Sequence, residues 1–338
     1  MSDLHQTATD LVAAGKGILA ADESTGTIAK RLDSIGVAST EDMRRRYRQM
    51  LLTAPGLGEH ISGVILFDET IRQSTDAGVR FVDLSTGAGV IPGIKVDTGA
   101  KPLAMFPGET VTEGLDGLRD RLREYADLGA RFAKWRATVI IGDGMPTSTA
   151  IEVNAHAMAR YAALCQEASL VPIVEPEILM DGDHDLAACA DATSRTLDAL
   201  FEAMSAQRVD LAGSLLKVNM VVPAKGCPTQ DDDIAIATAT IDTLTAHVPA
   251  TVPGVVFLSG GMSDEHATNR LNEMNRIGGF PWELSFSYGR ALQAPSLKAW
   301  GGNEANVAAG QAALLHRARM NGLARDGSYS ARLEGSAA

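Results

Sequence analysis

At 338 residues, 45% hydrophobic and 21% charged, the chain can bury a large core, and its length fits either two average domains or one large barrel. A formal net charge of -12 argues against duplex nucleic acid or an anionic membrane as the main partner, since both call for concentrated positive charge. Three scattered cysteines, Cys165, Cys189 and Cys227, are too few for a disulfide framework, and no apolar run approaches the roughly 20 residues of a membrane span, so a soluble cytoplasmic protein is expected.

In chain order, short apolar runs rich in β-branched residues predict strands at Gly17–Asp22, Ile61–Asp68, Ile91–Asp97, Phe132–Thr138, Val171–Ile178, Ser214–Val222, Gly254–Gly260 and Glu283–Tyr288. Helical periodicity fills the gaps. Leu118, Leu122, Tyr125 and Ala126 stop at Gly129, and Leu197, Leu200, Phe201 and Met204 follow a polar start near Asp191. Asn303 reads as the N-cap of a last helix, with Val307, Leu314, Leu315 and Ala318 facing inward and Gly322 beyond its end. From Phe132 onward, strand starts fall roughly 30 to 45 residues apart, which leaves room for a strand, a helix and two loops at each step. Strands alternating with helices in this way predict an α/β fold and favour a single (β/α)8 TIM barrel, although an open doubly wound sheet gives a similar pattern. One domain is expected over residues 9–329, between a flexible N-terminus at 1–8 and a short, mobile C-terminal tail at 330–338.

In a barrel of this kind, inward side chains near the C-terminal strand ends share one mouth. Asp22, Lys95 with Asp97, Lys134 with Arg136, Glu175 with Glu177, and Lys217 all fall there. A structural ion pair would explain any one of them; the same habit on so many strands points to a site. Lys217 lies in the middle of the apolar run Ser214–Val222, where burial disfavours an ammonium, and a neutral amine attacks carbonyl carbons. Its plainer reading is a snorkelling side chain at a strand edge. Glu175 and Glu177, two apart, point to the same side of their strand. Paired carboxylates raise one another's proton affinity, so one is expected to hold its proton near neutral pH, unless both sit on an exposed strand end. An amine beside paired acids suggests imine chemistry.

Phe257–Met262 and Ser287–Arg290 each lead from a strand into glycine and a helix start, freeing backbone N–H groups for an anion; ordinary turn chemistry explains either one alone. Arg290 adds a guanidinium suited to phosphate. Gly87, Gly89 and Gly93 lack the spacing of a dinucleotide loop, and there is no Walker-type lysine loop. The acidic run Asp181–Asp185 around His184 offers donors for a metal, or equally a solvated loop.

The stretches Gly15–Ser24 (GKGILAADES), Ala133–Arg136 (AKWR), Val174–Leu179 (VEPEIL), Leu215–Lys217 (LLK), Phe257–Gly261 (FLSGG) and Ser285–Gln293 (SFSYGRALQ) resemble, in that order, those of the metal-independent, Schiff-base (class I) fructose-1,6-bisphosphate aldolases. The similarity runs from about residue 8 to 330. It implies a (β/α)8 barrel, usually a homotetramer, that cleaves fructose 1,6-bisphosphate into dihydroxyacetone phosphate and glyceraldehyde 3-phosphate, with no metal and no cofactor. By position, the resemblance gives Lys217 the imine, Glu175 the proton shuttling in imine formation and dehydration, and Asp22 the hydroxyl proton released as the carbon–carbon bond breaks. Lys134 would polarise its surroundings and keep Lys217 unprotonated by like-charge proximity, and Glu177 would orient these two lysines. Ser259, Gly260, Gly289 and Arg290 would hold one phosphate, Arg31 and Lys95 would reach the other, and Ser24 and Arg136 would assist. Phosphorylated sugars are then the partners, with no nucleic acid and no membrane.

The sequence also departs from the pattern it resembles. Many members end in a longer tail whose last tyrosine enters the site, whereas this chain ends at Ala338 and Tyr329 matches an earlier position. Val218 stands where a proline is usual and Thr98 where a lysine is, which bears on turnover and on the choice between mono- and bisphosphate substrates. The alternatives are a transaldolase-like enzyme, which shares the lysine but needs one phosphate site, and a phosphosugar-binding protein without turnover.

Overall fold

In the computed structural model, which describes residues 3–335, eight strands alternate with helices: β1 (Gly17–Ala21), β2 (Ile61–Leu66), β3 (Ile91–Lys95), β4 (Phe132–Val139), β5 (Val171–Ile178), β6 (Leu215–Val218), β7 (Gly254–Phe257) and β8 (Glu283–Tyr288). They close into one parallel ring in chain order, with Ile18 of β1 in register with both Gly63 of β2 and Ser287 of β8. This is the (β/α)8 barrel that the alternating apolar runs favour. Five runs are longer than their strands, those of β6 and β7 by three residues or more. After Val218 the apolar stretch stays buried but leaves the sheet: the Asn219 side chain accepts the N–H of Ile178, and Val221 donates its own to Thr240 Oγ1. Beyond Phe257, Leu258 to Gly260 form the loop at the barrel mouth.

Inside the ring, the lower layer is apolar. Ile18, Ile65, Phe132, Val171, Ile173, Leu215 and Val256 pack with Ala8, Leu11 and Val12, which the helix Asp3–Leu11 brings across the N-terminal end of the strands. Ser62 Oγ donates to the Leu11 carbonyl at 2.5 Å, and Arg325, from the final helix, donates to the carbonyls of Val12, Ala13 and Lys16 while pairing with Glu283. The barrel is therefore sealed at this end. Phe132 fills its middle because Gly93 gives way: a Cβ on Gly93 would lie 2.3 Å from the ring. Gly93→Ala is accordingly expected to cost about 3 kcal/mol, the upper end of overpacking effects. A urea midpoint lowered at unchanged slope would register it.

Several sequence expectations are corrected. The helix expected to start near Asp191 starts at Leu186, because Asp185 of the acidic run caps it by accepting the Ala188 N–H at 2.8 Å. Asn303 caps a single turn, Glu304–Asn306, which leads into the helix Val307–Arg325. Gly322 lies inside that helix rather than beyond it; a Cβ there would meet the Gly15 carbonyl at 2.7 Å, so glycine serves close packing and not termination. The segments expected to be loose are held where the structure describes them. Residues 3–8 are helical, and Ala331–Gly335 forms a turn in which Glu334 takes up Arg317, His316 (2.8 Å) and the Tyr329 hydroxyl (2.9 Å). Residues 1–2 and 336–338 lie outside the described residues. A hairpin between β3 and β4, Gly99–Pro102 against Thr110–Glu113, had no counterpart in the sequence reading, its strands being short and largely polar.

Candidate active site

A period of two carries five of the eight inward strand faces from apolar or small at the bottom to charged at the top: Ile18, Ala20, Asp22; Gly93, Lys95, Asp97; Phe132, Lys134, Arg136; Ile173, Glu175, Glu177; Leu215, Lys217. The register aligns them, with Lys95 beside Lys134 and Arg136 beside Glu175. They converge on a cavity of about 640 Å³ at the C-terminal ends of the strands, which is where this architecture places chemistry. Every residue to which the resemblance gives a role lines it: Asp22, Ser24, Arg31, Lys95, Lys134, Arg136, Glu175, Glu177, Lys217, Ser259, Gly260, Gly289 and Arg290.

At the floor of this cavity, two lysines and two carboxylates alternate. Lys217 Nζ lies 3.1 Å from Glu175 Oε1, the other oxygen of Glu175 lies 3.2 Å from Lys134 Nζ, and Lys134 Nζ lies 2.8 Å from Asp22 Oδ2. Lys217 is 4% exposed, which excludes a snorkelling side chain. Burial alone would push the Asp22 carboxyl up, but Lys134 and Lys217 outweigh it and hold the group well below the usual carboxylate range. Glu175 behaves likewise: burial raises its pKa, and Lys134, Lys217 and Arg136 more than reverse this. The expectation that paired acids keep a proton on one of them is thereby corrected for Glu175, whose cationic neighbours overcome the like-charge effect. Burial also works against the charge of Lys134, yet Asp22, Glu175 and Asp97 raise its pKa above the ordinary lysine value, making it a fixed cation.

The resemblance gives Glu177 the orienting of the two lysines, but among the described residues it forms no ion pair with either. The carboxylate that pairs with both is Glu175, one pleat below, while Glu177 forms its ion pair with Arg136 at the mouth. Asp97 organises the neighbouring wall: Oδ1 takes Lys95 Nζ at 2.7 Å and the Gly99 N–H, and Oδ2 takes the Arg136 N–H. It thus ties β3, β4 and the hairpin at one carboxylate.

The rim is suited to anions. Ser24 precedes the helix Thr25–Asp33 without capping it, which leaves its hydroxyl beside Thr27 and facing the cavity. Arg290 opens the helix Arg290–Trp300 behind Gly289, and no side chain caps that end, so its first N–H groups remain available to an anion. Glu23, Thr27, Thr138 and Ser287 also line the cavity and were missed as site residues. Glu23 stands beside Asp22 in a motif already noted; Ser287 alternates with Ser285 on β8, and its buried Oγ has no hydrogen-bond partner among the described residues. Tyr329 is engaged elsewhere, donating its hydroxyl to Glu334.

A family model for fructose-bisphosphate aldolase class-I matches residues 3–338. The probable fructose-bisphosphate aldolase class 1 of Xanthomonas campestris pv. campestris is 56% identical over 330 residues, covering 97% of this chain and 99% of that protein. Fructose-bisphosphate aldolase 2 of Caenorhabditis elegans is 51% identical over 329 residues, covering 97% and 90%. The solved fructose-bisphosphate aldolase of Plasmodium falciparum superposes with a TM-score of 0.96 at 48% identity, over 97% of this chain and 95% of that one.

Proposed function

The chain belongs to the class-I fructose-bisphosphate aldolase family and is a carbon–carbon lyase with that family's reaction, the reversible cleavage of fructose 1,6-bisphosphate to dihydroxyacetone phosphate and glyceraldehyde 3-phosphate; we propose that the Lys217 amine carries it. The observation that bears most on this reading is the buried sequence of contacts Asp22, Lys134, Glu175, Lys217 at the cavity floor.

The amine attacks the ketose C2, and the carbinolamine loses its hydroxyl as water to give a protonated imine. Glu175, 3.1 Å from Nζ, takes the proton that Lys217 sheds on attack and returns one to the departing hydroxyl. The iminium then draws the electron pair of the C3–C4 bond into an enamine, while Asp22 takes the C4 hydroxyl proton and glyceraldehyde 3-phosphate leaves. Protonation at C3 and hydrolysis of the imine release dihydroxyacetone phosphate and restore Lys217. Lys134, a cation between Asp22 and Glu175, stabilises the carboxylate form in which each stands ready to accept its proton.

The two phosphates follow from this pose. The C1 phosphate lies one carbon from the imine, hence beside β7 and β8, where Ser259, Gly260, Gly289 and Arg290 line the cavity. The C6 phosphate extends past Asp22 toward Ser24, Arg31 and Lys95, with Arg136 assisting. Two such flanks favour the bisphosphate substrate over a transaldolase-like reaction. Sodium borohydride with dihydroxyacetone phosphate is expected to trap one covalent adduct, mapped by peptide mass spectrometry to Lys217, and cleavage is expected to survive a chelator. An adduct on another residue, or none, would sink the assignment; an adduct without cleavage would favour a binding protein.

Residues 9–329 are proposed to act as one catalytic domain, in a homotetramer, in the cytoplasm. The tetramer rests on the family resemblance. The location is supported by similar proteins named cytosolic in Arabidopsis thaliana and cytoplasmic in Pisum sativum, and no helix among the described residues is long and apolar enough to cross a membrane.

A further inference from the structure

Beneath the C6-phosphate flank lies a buried charge cluster that the reaction itself does not use. Glu23 is 8% exposed, and its Oε1 pairs with Arg31 and accepts from Gln293 Nε2 at 2.8 Å, while Oε2 lies 2.6 Å from Arg48 Nη2. Gln293 is fixed in turn, since its Nε2 also donates to the Ala20 carbonyl at 2.6 Å and its Oε1 accepts from the Tyr47 hydroxyl at 2.9 Å. One carboxylate is thus clamped by Arg31 of the helix Thr25–Asp33, by Arg48 of the helix Glu41–Leu52 and by Gln293 of the helix that begins at Arg290.

We propose that Glu23 is a positioning residue that fixes the Arg31 guanidinium at the cavity wall for the phosphate remote from the imine, and that Arg48 offsets the Glu23 charge so that the positive charge of Arg31 is left unneutralised toward the cavity. The proposal rests on the phosphate assignment above. Its argument is a charge count. Glu23 carries one negative charge against two guanidinium groups, so the trio has a net positive charge, whereas Lys95 and Asp97, the matching pair on the same flank, sum to zero. The side chain of Arg48 is 3% exposed and lines no part of the cavity; that of Arg31 is 25% exposed and does. The surplus charge is therefore presented at Arg31. Arg48 Nη1 is left without a hydrogen-bond partner, as expected of a group retained for its charge. A guanidinium already held in place also loses less side-chain freedom on meeting a phosphate than a free one would.

The test compares steady-state kinetics of wild type, Arg48→Met and the double variant Glu23→Gln with Arg48→Met on fructose 1,6-bisphosphate and on fructose 1-phosphate, which lacks the remote phosphate. Arg48→Met leaves Glu23 paired with Arg31, and the double variant removes the buried charges together, so neither strands an unpaired ion; thermal unfolding checks this. Both are expected to raise KM for the bisphosphate roughly tenfold, with kcat changing less than about threefold, and to lower kcat/KM at least about tenfold more for the bisphosphate than for the monophosphate. Inhibition by inorganic phosphate should weaken in parallel. Equal losses on both substrates, or an unchanged bisphosphate KM, would overturn the proposal. Borohydride trapping on the same wild-type preparation separates the two ideas: a wild type that fails to trap counts against Lys217, whereas one that traps while the variants keep their bisphosphate KM counts against Glu23 alone.

Discussion

Lys217→Ala is expected to abolish the borohydride-trapped adduct and to lower kcat by about four orders of magnitude or more, a loss of about 5.5 kcal/mol of transition-state stabilisation. The size follows from the chemistry. The C3–C4 electron pair needs an acceptor, and without the amine the substrate offers only its unactivated ketone. The variant should stay folded, because Glu175 keeps Lys134 as a partner at 3.2 Å and no charge is left alone. Lys217→Met, closer in volume, separates loss of the nucleophile from loss of packing. Stopped-flow and trapping measurements that leave either variant within tenfold of wild type would remove Lys217 from the mechanism.

The second large effect is expected at Glu175. Glu175→Gln keeps the shape and removes the carboxylate that, among the described residues, pairs with both lysines, so kcat should fall about 10²- to 10³-fold, within the range for a lost general acid–base group. Imine formation should be the step that slows, visible as slower trapping at saturating dihydroxyacetone phosphate. Stability should change with pH in a definite direction. Because Lys134, Lys217 and Arg136 hold the folded pKa of Glu175 below its ordinary 4.5, wild type gains stability from this group above that value and loses it as pH falls through the lowered pKa. Glu175→Gln lacks this contribution, so its unfolding free energy should depend less steeply on pH in the acid range below about 4.5. Parallel curves for the two proteins would show that Glu175 titrates alike in both states.

Much of this site could be read from the sequence, because a barrel strand writes its inward face at every second residue. Lys134 with Arg136 and Glu175 with Glu177 are adjacent letters of that code, and all four line the cavity. What could not be read is which charge meets which. Glu175 and Glu177 are equivalent on paper, and only the level at which each crosses the ring gives one two lysines and the other an arginine. The depressed pKa of Glu175 follows from the same crossing. Arg48 and Gln293 were illegible for another reason: both lie on outer helices, where nothing in the local pattern marks a side chain that reaches back to the end of β1. Gly322 shows the converse failure, a glycine with the look of a helix stop that serves instead to admit the Gly15 carbonyl.

The seal at the bottom of the barrel has a consequence for biosynthesis. Leu11 and Val12 leave the ribosome well before Arg325, which ties the carbonyls of Val12, Ala13 and Lys16. A nascent chain that has completed seven strands still has an open base with these apolar side chains uncovered, so the vectorial order of translation and the order of final assembly are opposed. The finished barrel is buckled shut where Val12 to Lys16 meet Arg325, and a change on either side acts on the same clasp.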